Sequence, residues 1–239
     1  GLARALGLRG TAIDAQEVRD AMLGRVVSEV TLAEGSARTG LIVHDAASGR
    51  PLAITNLAWE PGDDTPRLTP GSAPATARRL VRAAGLTAPT AAPEVRWDDA
   101  ADAWEISWTR RVAGIPVPRD GIIVRLRPGG ALASLSAPES PLASAPATPI
   151  SSQTALTVAR RFAEEHALDR FADFAIEDRG LAWSEANGFL TGKAAFDPTL
   201  RLCRVIRLAF TEDGASGPSL IELHVDAASG AIVGGDQTS

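Results

Sequence analysis

Three histidines, one cysteine and several carboxylate pairs are the side chains of this sequence with chemistry to offer, and their spacing limits what kind. His44, His166 and His224 stand far apart, and none belongs to an H-E-x-x-H pair. Two imidazoles therefore do not meet one zinc from a single helical face, which excludes zincin-type hydrolysis. The lone cysteine, Cys203, excludes an intrachain disulfide and a multi-thiolate zinc site. Its neighbours Leu202, Val205 and Ile206 predict a buried, inert thiol. Serine chemistry finds no G-x-S-x-G elbow: Gly214-Ala215-Ser216-Gly217-Pro218 lacks the final glycine and reads as a turn. A phosphate loop is approached by Gly188 to Ala194, but its glycines are one residue too close, and no Ser or Thr follows Lys193 to hold magnesium. There is no G-x-G-x-x-G, so a Rossmann nucleotide site has no support.

Adjacent carboxylates occur at Asp63-Asp64, Asp98-Asp99 and Glu164-Glu165. Neighbours in sequence point apart on a strand or helix, so none of these forms an acid–base pair by spacing alone. Asp98, Asp99 and Asp102 crowd one turn; without the spaced ligands and glycine of an EF-hand, a solvated turn is the first reading and a calcium site the second. His166 continues an apolar helical face and is expected to be a partly buried structural histidine. No catalytic residue, cofactor or metal is expected.

Composition narrows the partners. Of 239 residues, 45% are hydrophobic and 22% charged, as in globular proteins, and a formal net charge of −5 argues against nucleic acid. No stretch approaches the roughly 20 consecutive apolar residues needed to cross a bilayer. The chain opens on Gly1 rather than methionine, as after removal of a leader. Basic charge is almost all arginine, with Lys193 the single lysine and no tyrosine anywhere, a bias of genome composition rather than of mechanism.

These residues need elements to hold them, and Pro/Gly/Ser-rich stretches at 61–74 and 138–149 divide the chain into three segments. Each reads as a helix followed by alternating strands. The expected domains are an N-terminal unit over 1–57, a middle unit over 72–136 and a C-terminal unit over 150–239. Asp14-Ala15-Gln16-Glu17 resembles a capping box, with Val18 and Met22 at helical spacing, which predicts a helix over 14–26. Ala77, Leu80, Val81 and Ala84 share one face of a second helix, 74–85, that Gly85 can end. Ser151 or Ser152 caps a third, 152–167, carrying Ala155, Val158, Ala159 and Phe162. The expected fold class is α+β, built of repeated units of one helix packed on an antiparallel sheet.

Two hairpins stand out. Asp45-Ala46-Ala47-Ser48-Gly49 recurs without change as Asp226-Ala227-Ala228-Ser229-Gly230, each time between apolar strands. Aspartate accepting turn amides, with Gly49 and Gly230 at positive φ, predicts equivalent structural turns rather than binding sites. In the middle segment, Trp104, Ile106 and Trp108 alternate with polar residues, and Trp97 stands across the turn from them. Such an aromatic stripe is first a packing feature and second a recognition surface, with Arg110 and Arg111 beside it.

At these residues the chain resembles the PepSY family and the related propeptide modules that precede thermolysin-like and fungalysin-like metalloproteases. The features that carry the likeness are the opening helix Ser151-Ser152-Gln153-Thr154-Ala155-Leu156 and the closing hairpin from His224 to Val233. In the middle segment, Trp108-Thr109-Arg110-Arg111 leads into Gly114-Ile115-Pro116-Val117, and Asp120-Gly121 follows. The resemblance is fullest over 73–235 and fainter before it. It implies PepSY- or cystatin-like units, with Gly114 and Pro116 shaping a turn, secreted or held at the cell envelope. It implies a noncatalytic role: binding, inhibiting or modulating a protein partner such as an extracellular metalloprotease. A cell-envelope structural or small-ligand-binding module is the alternative.

Overall fold

The computed structural model describes residues 1–21, 23–58, 67–187, 197–211 and 218–238. A short helix α1 (Leu2–Ala5) is followed by strands β1 (Thr11–Asp20), β2 (Arg25–Glu34), β3 (Ala37–Asp45) and β4 (Pro51–Asn56). Next come helix α2 (Ala73–Ala83) and strands β5 (Glu94–Asp98), β6 (Ala103–Val112), β7 (Ile115–Leu126) and β8 (Leu132–Ser136). The last part holds helix α3 (Ser152–Glu165), a 3-10 turn at Leu168–Arg170, and strands β9 (Ala172–Ala186), β10 (Asp197–Thr211), β11 (Ser219–Asp226) and β12 (Ile232–Thr238). No helix among the described residues is long and apolar enough to cross a membrane.

The expected repeat of helix-on-sheet units is overturned: the described chain is mostly antiparallel sheet. The helix expected over 14–26 does not form, and most of those residues lie in β1 and the start of β2. The capping-box reading rested on few apolar contacts, whereas residues 25–34 are rich in the β-branched Val26, Val27, Val30 and Thr31. Gly24 takes φ +65 in the turn, and the Asp20 carboxylate accepts from the Leu23 amide at 3.0 Å. Residues 14–20, which would need a buried face as a helix, instead pair without interruption with β2.

The chain forms two compact units, 1–110 with 119–139, and 111–118 with 140–239. In the first, eight strands run in the order β1-β2-β3-β4-β8-β7-β6-β5, with the far ends of β6 and β7 counted in the second unit. One apolar row crosses five of these strands, because register places Val30, Ile42, Ile54, Leu135 and Val124 opposite one another in turn. Ala77, Leu80, Val81 and Ala84 at the α2 face join this core. Ile54 and Val124 are fully buried, and each such aliphatic side chain contributes about 1.5–3 kcal/mol by leaving water.

In the second unit, four antiparallel strands run β12-β11-β10-β9. The Ser151 hydroxyl caps α3 by accepting from the Thr154 amide at 3.1 Å. Ala155, Ala159, Phe162 and Ala163 then pack against Ile206, Leu208, Ile221 and Leu223. A second cluster gathers Val117, Trp183, Leu200, Leu202 and Ala227. The end of β9 comes within hydrogen-bonding distance of β12: Asn187 Oδ1 accepts from the Gly235 amide at 2.9 Å. A Cβ on Gly234 would lie 2.9 Å from the Glu185 carbonyl oxygen, so glycine permits that approach.

Candidate functional site

β5 and β6 form a hairpin whose turn is tied by Asp98, whose carboxylate accepts from the Ala100 and Ala101 amides at 3.1 Å each. Register sets Trp97 opposite Trp104, and their rings meet edge to face at 5.1 Å and 71°. Both are half-buried. Trp108, only 5% exposed, lies in the core, where its indole N–H donates to the Ala91 carbonyl at 3.1 Å. The Arg78 guanidinium sits 5.5 Å from that ring and also donates to the Pro89 and Ala91 carbonyls. The aromatic stripe is therefore graded, with Trp108 locked inside and Trp97 and Trp104 reaching the surface.

Alternation sends Glu105 to the other face, where it is buried between two arginines: Arg96 Nη2 at 2.7 Å and Arg125 Nη2 at 2.8 Å. The Arg96 hydrogen bond, against the opposing effect of burial and with help from Arg125, holds the Glu105 carboxyl below the usual range. Arg110 pairs with the buried Asp120 at 2.8 Å and reaches Glu139 at 3.4 Å. Arg50 meets the same Glu139 carboxylate at 3.4 Å, and Arg25 donates to the Glu139 carbonyl. Arg111, the first residue of the second unit, is exposed and donates to the Gly114 carbonyl at 2.7 Å. That bond lies over a two-residue turn in which Ala113 and Gly114 both take positive φ, 51 and 80, and Pro116 follows inside β7.

The two identical pentapeptides have matching geometry. Asp45 Oδ1 accepts from the Ala47 amide, the Ser48 amide and the Ser48 hydroxyl at 3.1, 2.8 and 2.9 Å. Asp226 Oδ1 accepts from the Ala228 amide, the Ser229 amide and the Ser229 hydroxyl at 3.0, 2.7 and 2.9 Å. Gly49 and Gly230 donate back to the aspartate carbonyl at φ +68 and +74. In each turn the second residue's amide also bonds a neighbouring strand, Ala46 to Val26 and Ala227 to Leu202. Asp45 adds Arg25 at 2.9 Å. The Ser48 amide first, then Arg25 and the Ser48 hydroxyl, hold its carboxyl at about 2. At Asp226, burial alone would raise the pKa, and the Ser229 and Ala228 donors outweigh it, so the net direction is downward.

The histidines and the cysteine stay apart. His44 is half-buried, with its pKa lowered by that burial, and lines an open cleft of about 810 Å³ with Arg50 and the end of α2. His166 closes α3, stacked on Phe162 at 4.1 Å with Nδ1 2.9 Å from the Phe162 carbonyl. His224 is buried, its Nδ1 has no hydrogen-bond partner, and desolvation pushes its pKa down despite Asp236 3.9 Å from Nε2. Burial pushes the Cys203 thiol up to about 12. Among the described residues no group of three metal-ligating side chains comes together. Asp98, Asp99 and Asp102 form a turn in which Asp102 takes φ +44. Asp63-Asp64, Gly188 to Ala194 and Gly214 to Gly217 lie outside the described residues. The Arg96–Glu105–Arg125 ladder and the Glu139 cluster were not legible in the sequence, because their partners lie on different strands.

These features define a two-unit, antiparallel-sheet protein in which several carboxylates are tied into turns and cross-strand ladders. No protein-family model matches the chain, and no curated protein matches it. Among solved structures it is similar to the Bacillus megaterium YpeB C-terminal domain, with 12% identity over 99% of this chain and 94% of that one, at a TM-score of 0.47.

Proposed function

We propose that this chain is a noncatalytic, extracytoplasmic PepSY-like protein that binds or modulates a protein partner, with an extracellular metalloprotease as the partner class. The reading rests on the likeness of 73–235 to propeptide modules, and one structural observation carries it: the half-buried Trp97–Trp104 pair. Tryptophan and arginine are enriched among residues that dominate binding energy, because they offer large contact area and directed hydrogen bonds. Here an edge-to-face indole pair stands on the sheet's outermost strand pair, held by the Asp98 turn and by packing of Trp104 against the core. The surface is pre-organised, so little side-chain freedom is lost on binding.

The test uses the full chain as bait for the secreted fraction of the native organism, beside a Trp97→Ala/Trp104→Ala double variant. Captured protein is then assayed for proteolysis with and without the chain. A protease retained by the parent chain and lost by the variant supports the reading. Equal capture by both removes the tryptophan pair from it, and turnover of a substrate by the purified chain itself overturns the noncatalytic role.

A further inference from the structure

β1 is one edge strand of the eight-stranded sheet, at the end opposite β5. Nine of its ten residues are exposed, on both faces, including Ile13 at 60% and Val18 at 39%. Sheet edges are normally blunted by bulges, charge or cover, since an open edge invites another strand. Here a register shift between Ala12 and Asp14 breaks the first part of the strand, and from Asp14 to Asp20 the pairing with β2 runs without interruption. The uninterrupted part is the portion able to accept a neighbour.

We propose that this edge pairs with the same edge of a second copy of the chain, antiparallel and centred on Val18. The argument is one of register. A two-fold axis perpendicular to a continuous sheet preserves its faces, so each residue must stand opposite one an even number of positions away. Centring on Glu17 would set Glu17 against itself and Asp14 against Asp20. Centring on Gln16 would set Asp14 against Val18 and Ala15 against Glu17. Centring on Val18 gives a complementary set: Val18 meets Val18, and Glu17 faces Arg19 twice, once on each side of the axis.

The neighbouring strand supports that centre. Val18 stands opposite Val27, which is 2% exposed, so the Val18 contact would extend an apolar row already buried at Val27. Glu17 and Arg19 enter no ion pair among the described residues, so both charges are available to the second copy. Strand addition supplies the main-chain hydrogen bonds, and the side-chain pairs select the register. This proposal is independent of the tryptophan pair and of any protease partner.

Sedimentation velocity of the full chain between about 1 µM and 1 mM tests it, a span that covers weak to moderate association. A concentration-dependent dimer is expected. Val18→Lys, which sets two ammonium groups at the axis, should leave only monomer. Glu17→Arg or Arg19→Glu alone should weaken dimerisation about tenfold, since each turns two attractive pairs into two repulsive ones. Glu17→Arg with Arg19→Glu should restore it, because reversing both charges recreates both pairs. All three positions are exposed in the single chain, and circular dichroism checks that each variant stays folded. A monomer at every concentration, a dimer indifferent to Val18→Lys, or a double swap that does not restore association would each overturn the proposal.

Discussion

Asp45→Asn isolates the charge of a turn aspartate from its shape. The amide side chain keeps one oxygen for the Ala47 and Ser48 amides but loses its negative charge and the Arg25 pair. The carboxyl is held at about 2 against an ordinary 3.8. At about 1.4 kcal/mol per pKa unit, that difference corresponds to about 2–3 kcal/mol of stability at neutral pH. Solvent screening removes little of it, since the side chain is only 11% exposed. The sign follows from proton binding: the unfolded chain takes up its proton at higher pH than the folded one. The contribution is therefore complete above about pH 5 and disappears as pH falls through 4 and 3 toward 2. Urea unfolding followed by tryptophan fluorescence reads this out, with Trp97, Trp104 and Trp108 all in the first unit. Parent and variant should differ by about 2–3 kcal/mol at pH 7 and converge near pH 2. A gap that persists unchanged at pH 2 would show that shape, not charge, matters, and equal stability at pH 7 would refute the hydrogen-bond account.

Trp108→Ala should cost about 3–5 kcal/mol in the same urea assay, whereas Trp97→Ala, already half in water, should cost well under half as much. Comparable losses would contradict the graded burial of the stripe. Cys203 should not react with a thiol reagent in the native chain and should react fully once unfolded; rapid native labelling would show that its surroundings open. His224 has a folded-state pKa below 6.5, facing Asp236 on β12, Glu185 on β9 and Glu222 on its own strand. The unfolded chain protonates first, so stability should fall as pH drops below about 6.5, and the fall should be shallower in His224→Gln across pH 7 to 5.

What the sequence discloses and what it hides follow the range of the interactions. The Asp45 and Asp226 turns are complete within five or six residues: acceptor, donors and positive-φ glycine are neighbours, so the pentapeptide itself contains the device. The face of α2 is similar, because Ala77, Leu80, Val81 and Ala84 declare their common side through helical spacing. The residues 14–26 show the opposite case. A short capping pattern competes there with strand pairing that is settled by β2, and pairing prevails because β-branched residues at 26, 27, 30 and 31 commit that neighbour to a strand. Local propensity cannot report a partner that lies across a turn.

The same reasoning explains why the charged groups were the least legible. Nothing near Glu105 in sequence announces that Arg96 and Arg125 flank it, since one comes from β5 and the other from β7. Glu139 likewise gathers Arg25 from β2, Arg50 from the turn before β4 and Arg110 from β6. Each of these carboxylates would look available for chemistry in a linear reading, yet its oxygens are already directed at guanidinium groups. The buried Glu105, held in its charged form by Arg96 and Arg125, is a poor proton donor near neutral pH, because the same contacts that lower its pKa oppose protonation. Among the described residues, the half-buried Trp97–Trp104 pair stands at one end of the eight-stranded sheet and the open flank of β1 at the other. The two ends make separable demands: substitution at Val18 should alter self-association without touching capture of a protein partner, and substitution at Trp97 and Trp104 should do the reverse.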